Sequence, residues 1–574
     1  MRSILVGQAV QPAAGCQPAC RGEANGQNRR VKIRLRLAAM RGRLSICGGL
    51  SIGLLLLLPA ALLAQVNVPF ERILKANQEP GNWLTYSRDY SGRRYSPLDL
   101  INTANVSKLR IAWMRQMDET DAFETSPIVV DGTLFVTEPP NIVEALDAAT
   151  GRSLWSYRKD LPHDLRLCCG KVNRGLAILG NTLYYASTDA HLIALDARTG
   201  TLRWEVTMAD YKLGYSSTGA PLAVKDKILI GMAGGEFGVR GFIDGYDART
   251  GKRAWRFYTV PAAGEPGVDT WAGESWKTGS ATSWVTGAYD RETNTVYWGT
   301  GNPGPDWNGD VRKGDNLYSD CLIALDPDTG AKKWHFQYTP HDVNDWDSTQ
   351  TPILADGTVG GQPRKMVLLA NRNGFYYALD RVSGKFIAGR PYVKQTWATG
   401  LDEAGRPMRI PDAEPTVEGK LIWPSLGGGS NWYSSTYSPK TQLYYVNAKE
   451  EAGVYHKGEA EYRAGAFFNG GGQSEYRDEE PYGAVRALEV ATGQLRWEYK
   501  LHRPSHAGLM TTGGGLVFGS NGSSFFALDA QKGDLLWRFE TGGGIDANPI
   551  TYLNGGKQYV VIPAGHALLV FGLD

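Results

Sequence analysis

The sequence predicts an all-β fold, an eight-bladed β-propeller with tryptophan-docking repeats, and three observations carry that expectation. A motif close to Ala-Leu-Asp-x-x-Thr-Gly-x-x-x-Trp recurs seven times. Most copies start 40 to 54 residues apart, the length of one four-stranded blade. The 70 glycines, 17 tryptophans and 28 tyrosines, with turn signals all along the chain, favour many short strands over helices.

Residues 1–64 stand apart from that fold. Arg41 and Arg43 precede the apolar stretch LSICGGLSIGLLLLLPAALLA, which ends at Ala64 in small residues, the layout of a secretory signal. Met40 lies just before the basic end, so residues 1–39 read as an over-long start assignment or an unstructured extension. An uncleaved membrane anchor is the alternative, weakened by the Leu-Pro break and the Ala64 site. Export to the periplasm would remove Cys16, Cys20 and Cys47 and leave Cys168, Cys169 and Cys321 in an oxidising compartment. There the adjacent pair is expected to be a disulfide, with two buried thiols as the alternative.

Residues 65–574 are assigned to the propeller. The copies are ALDAATGRSLW from Ala145, ALDARTGTLRW from Ala194, GYDARTGKRAW from Gly245, ALDPDTGAKKW from Ala324, ALDRVSGKFIA from Ala378, ALEVATGQLRW from Ala487 and ALDAQKGDLLW from Ala527. In each, apolar residues end one strand, Asp with Thr-Gly makes a tight turn, and the next strand closes on tryptophan. The tryptophan is expected to dock between blades while its indole N–H finds a backbone partner. Two longer intervals, of 79 and 109 residues, hold degenerate or insertion-bearing units such as AYDRETNTVYWGTG and TYSPKTQLYYVNA. One extra blade placed in the longer interval brings the count to eight.

Charge and motif spacing exclude two classes. A net charge of +2 over 574 residues offers nothing to a nucleic acid backbone. GTGNPG, Gly299 to Gly304, fits a dinucleotide-binding pattern and follows a strand, but PDWNGD after it opens no helix, so NAD is not implied.

The segment LCCGKVNRG sets Arg174 six residues after Cys168. With the repeat, this resembles the quinoprotein alcohol dehydrogenases that use pyrroloquinoline quinone (PQQ), over nearly all of residues 80 to 574. The resemblance implies that the Cys168–Cys169 disulfide lies against one face of the quinone and that Arg174 holds a PQQ carboxylate, as suits a planar acid. It implies that Thr282 and Trp284, in GSATSWVTGAYD, cover the opposite face. Glu124 in FETSPIVVDG, Thr218 in SSTGAPLAVKD, and Gly234 with Gly235 match further PQQ contacts, as do Asn431 and Trp432 in GGGSNWYSSTYSPKT. Ala233 stands where the family often has serine, which removes one hydrogen bond.

Glu236 in GGEFGVRGFIDGYD, Asn302 in YWGTGNPG and Asp345 in TPHDVNDWDSTQTPIL match the family's metal ligands, all oxygen donors suited to a hard cation. Asp347 is separated from Asp345 by Trp346 alone, and residues two apart in an extended segment share a side. A second carboxylate there resembles the signature of members that use a lanthanide in place of calcium; a turn aspartate is the alternative. The resemblance further implies hydride transfer from an alcohol to C5 of PQQ, with Asp345 as base. Arg372 in LLANRNGFYYALD is implied beside the quinone oxygens, where it is expected to keep Asp345 ionised. The expected partners are an alcohol, a separate periplasmic cytochrome c, since no C-x-x-C-H haem motif is present, and a second copy in a homodimer. A PQQ aldose or sugar dehydrogenase and a non-catalytic scaffold propeller are the competing readings.

Overall fold

The computed structural model describes residues 66–118 and 123–573. The leader reading, with Met40, Arg41, Arg43, Ala64 and the three early cysteines, lies outside them. The described chain is all-β apart from one short α-helix, Phe70–Leu74, and a few 3-10 turns. Among the described residues no helix is long and apolar enough to cross a membrane.

Among the described residues, eight of the ten sheets have four or more strands. The sheet carrying the first repeat runs Ile128–Val130, Thr133–Glu138, Ile142–Asp147, Ser153–Arg158, each strand antiparallel to the next. Its inner strands are buried nearly throughout, while the last alternates between half-buried and exposed. That gradient explains why only the last strand of a repeat shows period-two polarity in the sequence.

The repeat's Asp and Gly build the turn between the third and fourth strands. Asp147 Oδ1 accepts from the backbone N–H groups of Ala149 and Thr150 and from the Thr150 hydroxyl, at 2.9–3.0 Å. Gly151 then takes φ +71°, and a Cβ there would stand 2.5 Å from the Trp113 ring. Glycine is thus required twice over, for its backbone and for the indole lying on it. Trp113 donates its indole N–H to Ala148 O at 3.2 Å. The same bond recurs from Trp155 to Ala197, Trp204 to Ala248 and Trp497 to Ala530, each reaching the turn of the next repeat.

The eighth sheet is not in the 109-residue interval, and that expectation is corrected. It is assembled from the two ends of the described chain: Arg110–Gln116 pairs antiparallel with Ala567–Gly572, beside Lys557–Ala564 and Ile550–Asn554. It carries Trp113 in place of a C-terminal repeat tryptophan, and Trp537 of the last repeat reaches Leu109 O at 3.1 Å. The long interval instead holds two small sheets, one of which joins Lys420–Ile422, Gly453–Lys457 and Gly471–Glu475. Hydrophobic pairing of distant ends outweighs repeat spacing as a guide to where the last sheet lies.

In an antiparallel sheet, the entry to the first strand and the turn between the second and third lie at the same end. Glu124, Arg174, Thr218, Trp284, Asp345 and Trp432 precede first strands, whereas Glu236, Asn302 and Arg372 follow second strands. The topology therefore delivers all of them to one end of the sheets.

Candidate functional site

A cleft of about 540 Å³ opens at that end. Glu124, Cys168, Cys169, Arg174, Thr218, Gly234, Glu236, Thr282, Trp284, Asp345, Asp347, Arg372, Asn431 and Trp432 all line it. Gly235 and Asn302 lie just behind the wall: a Cβ on Gly235 would stand 3.3 Å from Thr282 Oγ1 and 3.7 Å from Asn302 Oδ1.

Cys168 and Cys169 form a disulfide with each other. Cys169 Sγ lies 3.3 Å from Glu236 Oε1, which places the disulfide against the acidic part of the cleft. Arg174 forms an ion pair with Glu124 at 2.6 Å and donates to Thr218 Oγ1 at 2.8 Å. Its guanidinium also lies over the rings of Trp284 and Trp432, at 4.8 and 4.7 Å. Asn431 Oδ1 accepts from Trp432 N at 2.8 Å and so sets the entry to the strand Thr436–Ser438.

The carboxylates gather opposite. Asp347 Oδ2 pairs with Arg372 Nη1 at 2.7 Å, and its Oδ1 accepts from Asn302 N at 3.0 Å. Asn302 Nδ2 donates to the buried Asp306 at 2.8 Å, leaving its Oδ1 unspent. Burial, reinforced by the Asp347 charge, pushes Glu236 up to about 7. Burial pushes Asp345 well above the usual carboxylate range; Arg372 opposes this, and Asp347, Asp306 and Glu236 add to it. Two expectations are corrected here. Arg372 is ion-paired with Asp347, and its downward pull on Asp345 is outweighed by burial. Asp345 has φ +59°, so its shared wall with Asp347 comes from a left-handed turn and not from extended backbone. Asp342 sets that turn by accepting from the backbone N–H groups of Asn344 and Trp346, at 2.9 and 2.7 Å.

Sequence reasoning missed several groups. Asp306 backs the acidic cluster, and Lys449, Glu451, Gln473, Glu475 and His506 also line the cleft. Most come from the 109-residue interval, whose insertion is tied to the site where Phe468 N donates to Glu236 O at 2.7 Å. PDWNGD, which sets Asp306 four residues after Asn302, is the signal that could have found it.

Glu124 gives a pH-dependent consequence. Burial pushes it up from 4.5 to about 7, against the pull of Arg174. The folded apoprotein then keeps a proton that the unfolded chain has released, so stability falls as pH rises through that window. The loss from this one group is up to about 3 kcal/mol. Glu124→Gln should flatten the decline in unfolding temperature of metal-free apoprotein between about pH 5 and 8. Equal slopes for the two proteins would refute the assignment.

Repeated four-stranded sheets with a charged cleft at their shared end have the architecture of a β-propeller. A family model described as the PQQ glucose/ethanol/alcohol dehydrogenase β-propeller domain matches residues 83–394 and 499–560. Quinoprotein alcohol dehydrogenase PedH of Pseudomonas putida is 39% identical over 542 residues, covering 89% of this chain and 91% of its own. The lanthanide-dependent methanol dehydrogenase of Methylacidiphilum fumariolicum is 38% identical over 528 residues, covering 86% of each chain. The solved structure of a europium-containing methanol dehydrogenase superposes with a TM-score of 0.84 at 35% identity, covering 88% of this chain and 100% of that one. The chain belongs to the family of PQQ-dependent quinoprotein alcohol dehydrogenases.

Proposed function

We propose that this protein is a periplasmic quinoprotein that oxidises alcohols to aldehydes, using metal-bound PQQ and a separate cytochrome c as electron acceptor. The observation that carries the reading is the union, in one cleft, of a vicinal disulfide, two arginines and a cluster of oxygen donors. The eight larger sheets are read as eight blades, each docked to the next through its tryptophan or an equivalent contact.

The donor set fits the groups it would hold. Glu236, Asn302 Oδ1, Asp345 and Asp347 are hard oxygen ligands, and the burial that raises Glu236 and Asp345, with neighbouring carboxylates adding to it, is what a cation would offset. Arg174 Nε and Arg372 Nε are buried with no hydrogen-bond partner, donors suited to an anionic ligand. When bound, PQQ supplies the two-electron acceptor for the hydride, and the cation makes it more electrophilic. Asp345 takes the proton of the substrate hydroxyl. Arg372, held by Asp347 and by Leu426 O at 2.6 Å, stabilises negative charge beside the acceptor. Arg174 pairs with a cofactor carboxylate, and the disulfide and Trp284 bound the slot for a flat ring system.

Apoprotein incubated with PQQ and calcium or lanthanum should gain the cofactor's absorption and reduce an artificial acceptor when an alcohol is added. Failure to bind PQQ with either metal would overturn the proposal. Cys168→Ala should fold, because repeats and not this disulfide build the core, yet lose at least about tenfold in PQQ affinity or turnover. Mapping that finds both thiols free in the active enzyme would sink the disulfide's role.

A further inference from the structure

Lys449 stands on the strand Leu443–Glu450, where side chains alternate between faces. Glu450 points to one side and pairs with Arg486 at 2.7 Å. Lys449 enters the cleft, with only 3% of its surface exposed. Among the described residues its ammonium makes no hydrogen bond and no ion pair within 4 Å, and it faces the Tyr433 ring at 5.5 Å. A buried ammonium with three unspent donors is costly unless an acceptor reaches it.

The space beside it is defined. Lys449, Ser425, Gly427 and Glu451 line one part of the cleft wall, where a Cβ on Gly427 would stand 3.3 Å from Lys449 Nζ, 3.4 Å from Ser425 Oγ and 3.5 Å from Glu451 Oε2, so only glycine keeps clear of the ammonium there. Glu451 Oε2 is already occupied by the Ser425 hydroxyl at 2.7 Å. The other two cations of the cleft each touch a carboxylate, Arg174 that of Glu124 and Arg372 that of Asp347. Lys449 has none in contact. Burial, together with the Arg372 charge and against the pull of Glu451 and Asp546, holds it down to about 8.

We propose that Lys449 is a third cationic anchor of the cleft and receives a carboxylate bound in the cleft beside Gly427. The inference rests on the PQQ reading above, and the carboxylate belongs either to that cofactor, a tricarboxylic acid, or to a hydroxy-acid substrate. The first arm of the test titrates PQQ into apoprotein and follows tryptophan fluorescence, comparing wild type, Lys449→Met and Lys449→Arg. A cofactor carboxylate predicts affinity at least about tenfold weaker in the methionine variant and largely restored in the arginine variant. The second arm measures KM for a hydroxycarboxylic acid and for a neutral alcohol of the same length. A substrate carboxylate predicts unchanged PQQ affinity and a KM raised at least about tenfold for the acid alone. Methionine removes an unpaired buried charge at similar length, so folding is expected to survive, and thermal unfolding checks it. If PQQ affinity and the acid's KM both stay within about twofold of wild type, the anchor is overturned while the PQQ reading stands. If wild type binds no PQQ, both fall.

Discussion

Asp345→Asn is expected to lower kcat for alcohol oxidation by about a thousandfold, the middle of the range for loss of a positioned general base. Asparagine suits this test because Asp345 sits at φ +59°, a left-handed conformation that Asn adopts as readily as Asp. Shape and turn are kept, and Asp342 still sets the preceding backbone through Asn344 N and Trp346 N. What changes is the ability to take a proton and one unit of negative charge. In the metal-free protein Asp345 is pushed well up by burial, with neighbouring carboxylates adding to it, so it becomes a base only when a cation offsets that charge. Assays at saturating PQQ and metal, with cofactor occupancy read by absorbance, separate lost chemistry from lost binding. Turnover within about tenfold of wild type at full occupancy would remove Asp345 from the role of base.

Asp347→Ala is expected to cut the ratio of lanthanum-dependent to calcium-dependent activity by at least about tenfold. An extra carboxylate favours a trivalent ion over a divalent one of similar size, because attraction scales with charge. The structure adds a second consequence. Asp347 bridges Arg372 and Asn302 N, so its loss leaves a buried guanidinium without its carboxylate, a cost of about 3–5 kcal/mol. The apoprotein should therefore unfold at a lower temperature, and Asp347→Asn, which keeps a hydrogen-bonding oxygen, should restore part of that loss. Reconstituting both variants with PQQ and each metal gives the ratio directly. An unchanged ratio alongside the lowered unfolding temperature would make Asp347 a positioning partner of Arg372 and nothing more.

Much of the site was legible because its residues sit in short local signatures. LCCGKVNRG places the disulfide and Arg174 within seven residues, and TPHDVNDWDSTQ places Asp345 beside Asp347. The structure brings both segments to one cleft. Lys449 was not legible, since it stands in an ordinary-looking strand and shares the cleft with Arg174 and Arg372, residues far from it along the chain.

By itself the sequence determined the repeat, its turns built on Asp and Thr-Gly, the positions of its tryptophans and the chemical types of the residues that line the cleft. These depend on neighbours a few positions apart, where turn chemistry and side-chain alternation act. Only the tertiary structure decided that Arg110–Gln116 completes the sheet of Ala567–Gly572, that Arg372 neutralises Asp347, and that Asp345 is raised. Those outcomes depend on which distant groups share a buried volume, where removal from water and nearby charge outweigh any preference written in the local sequence.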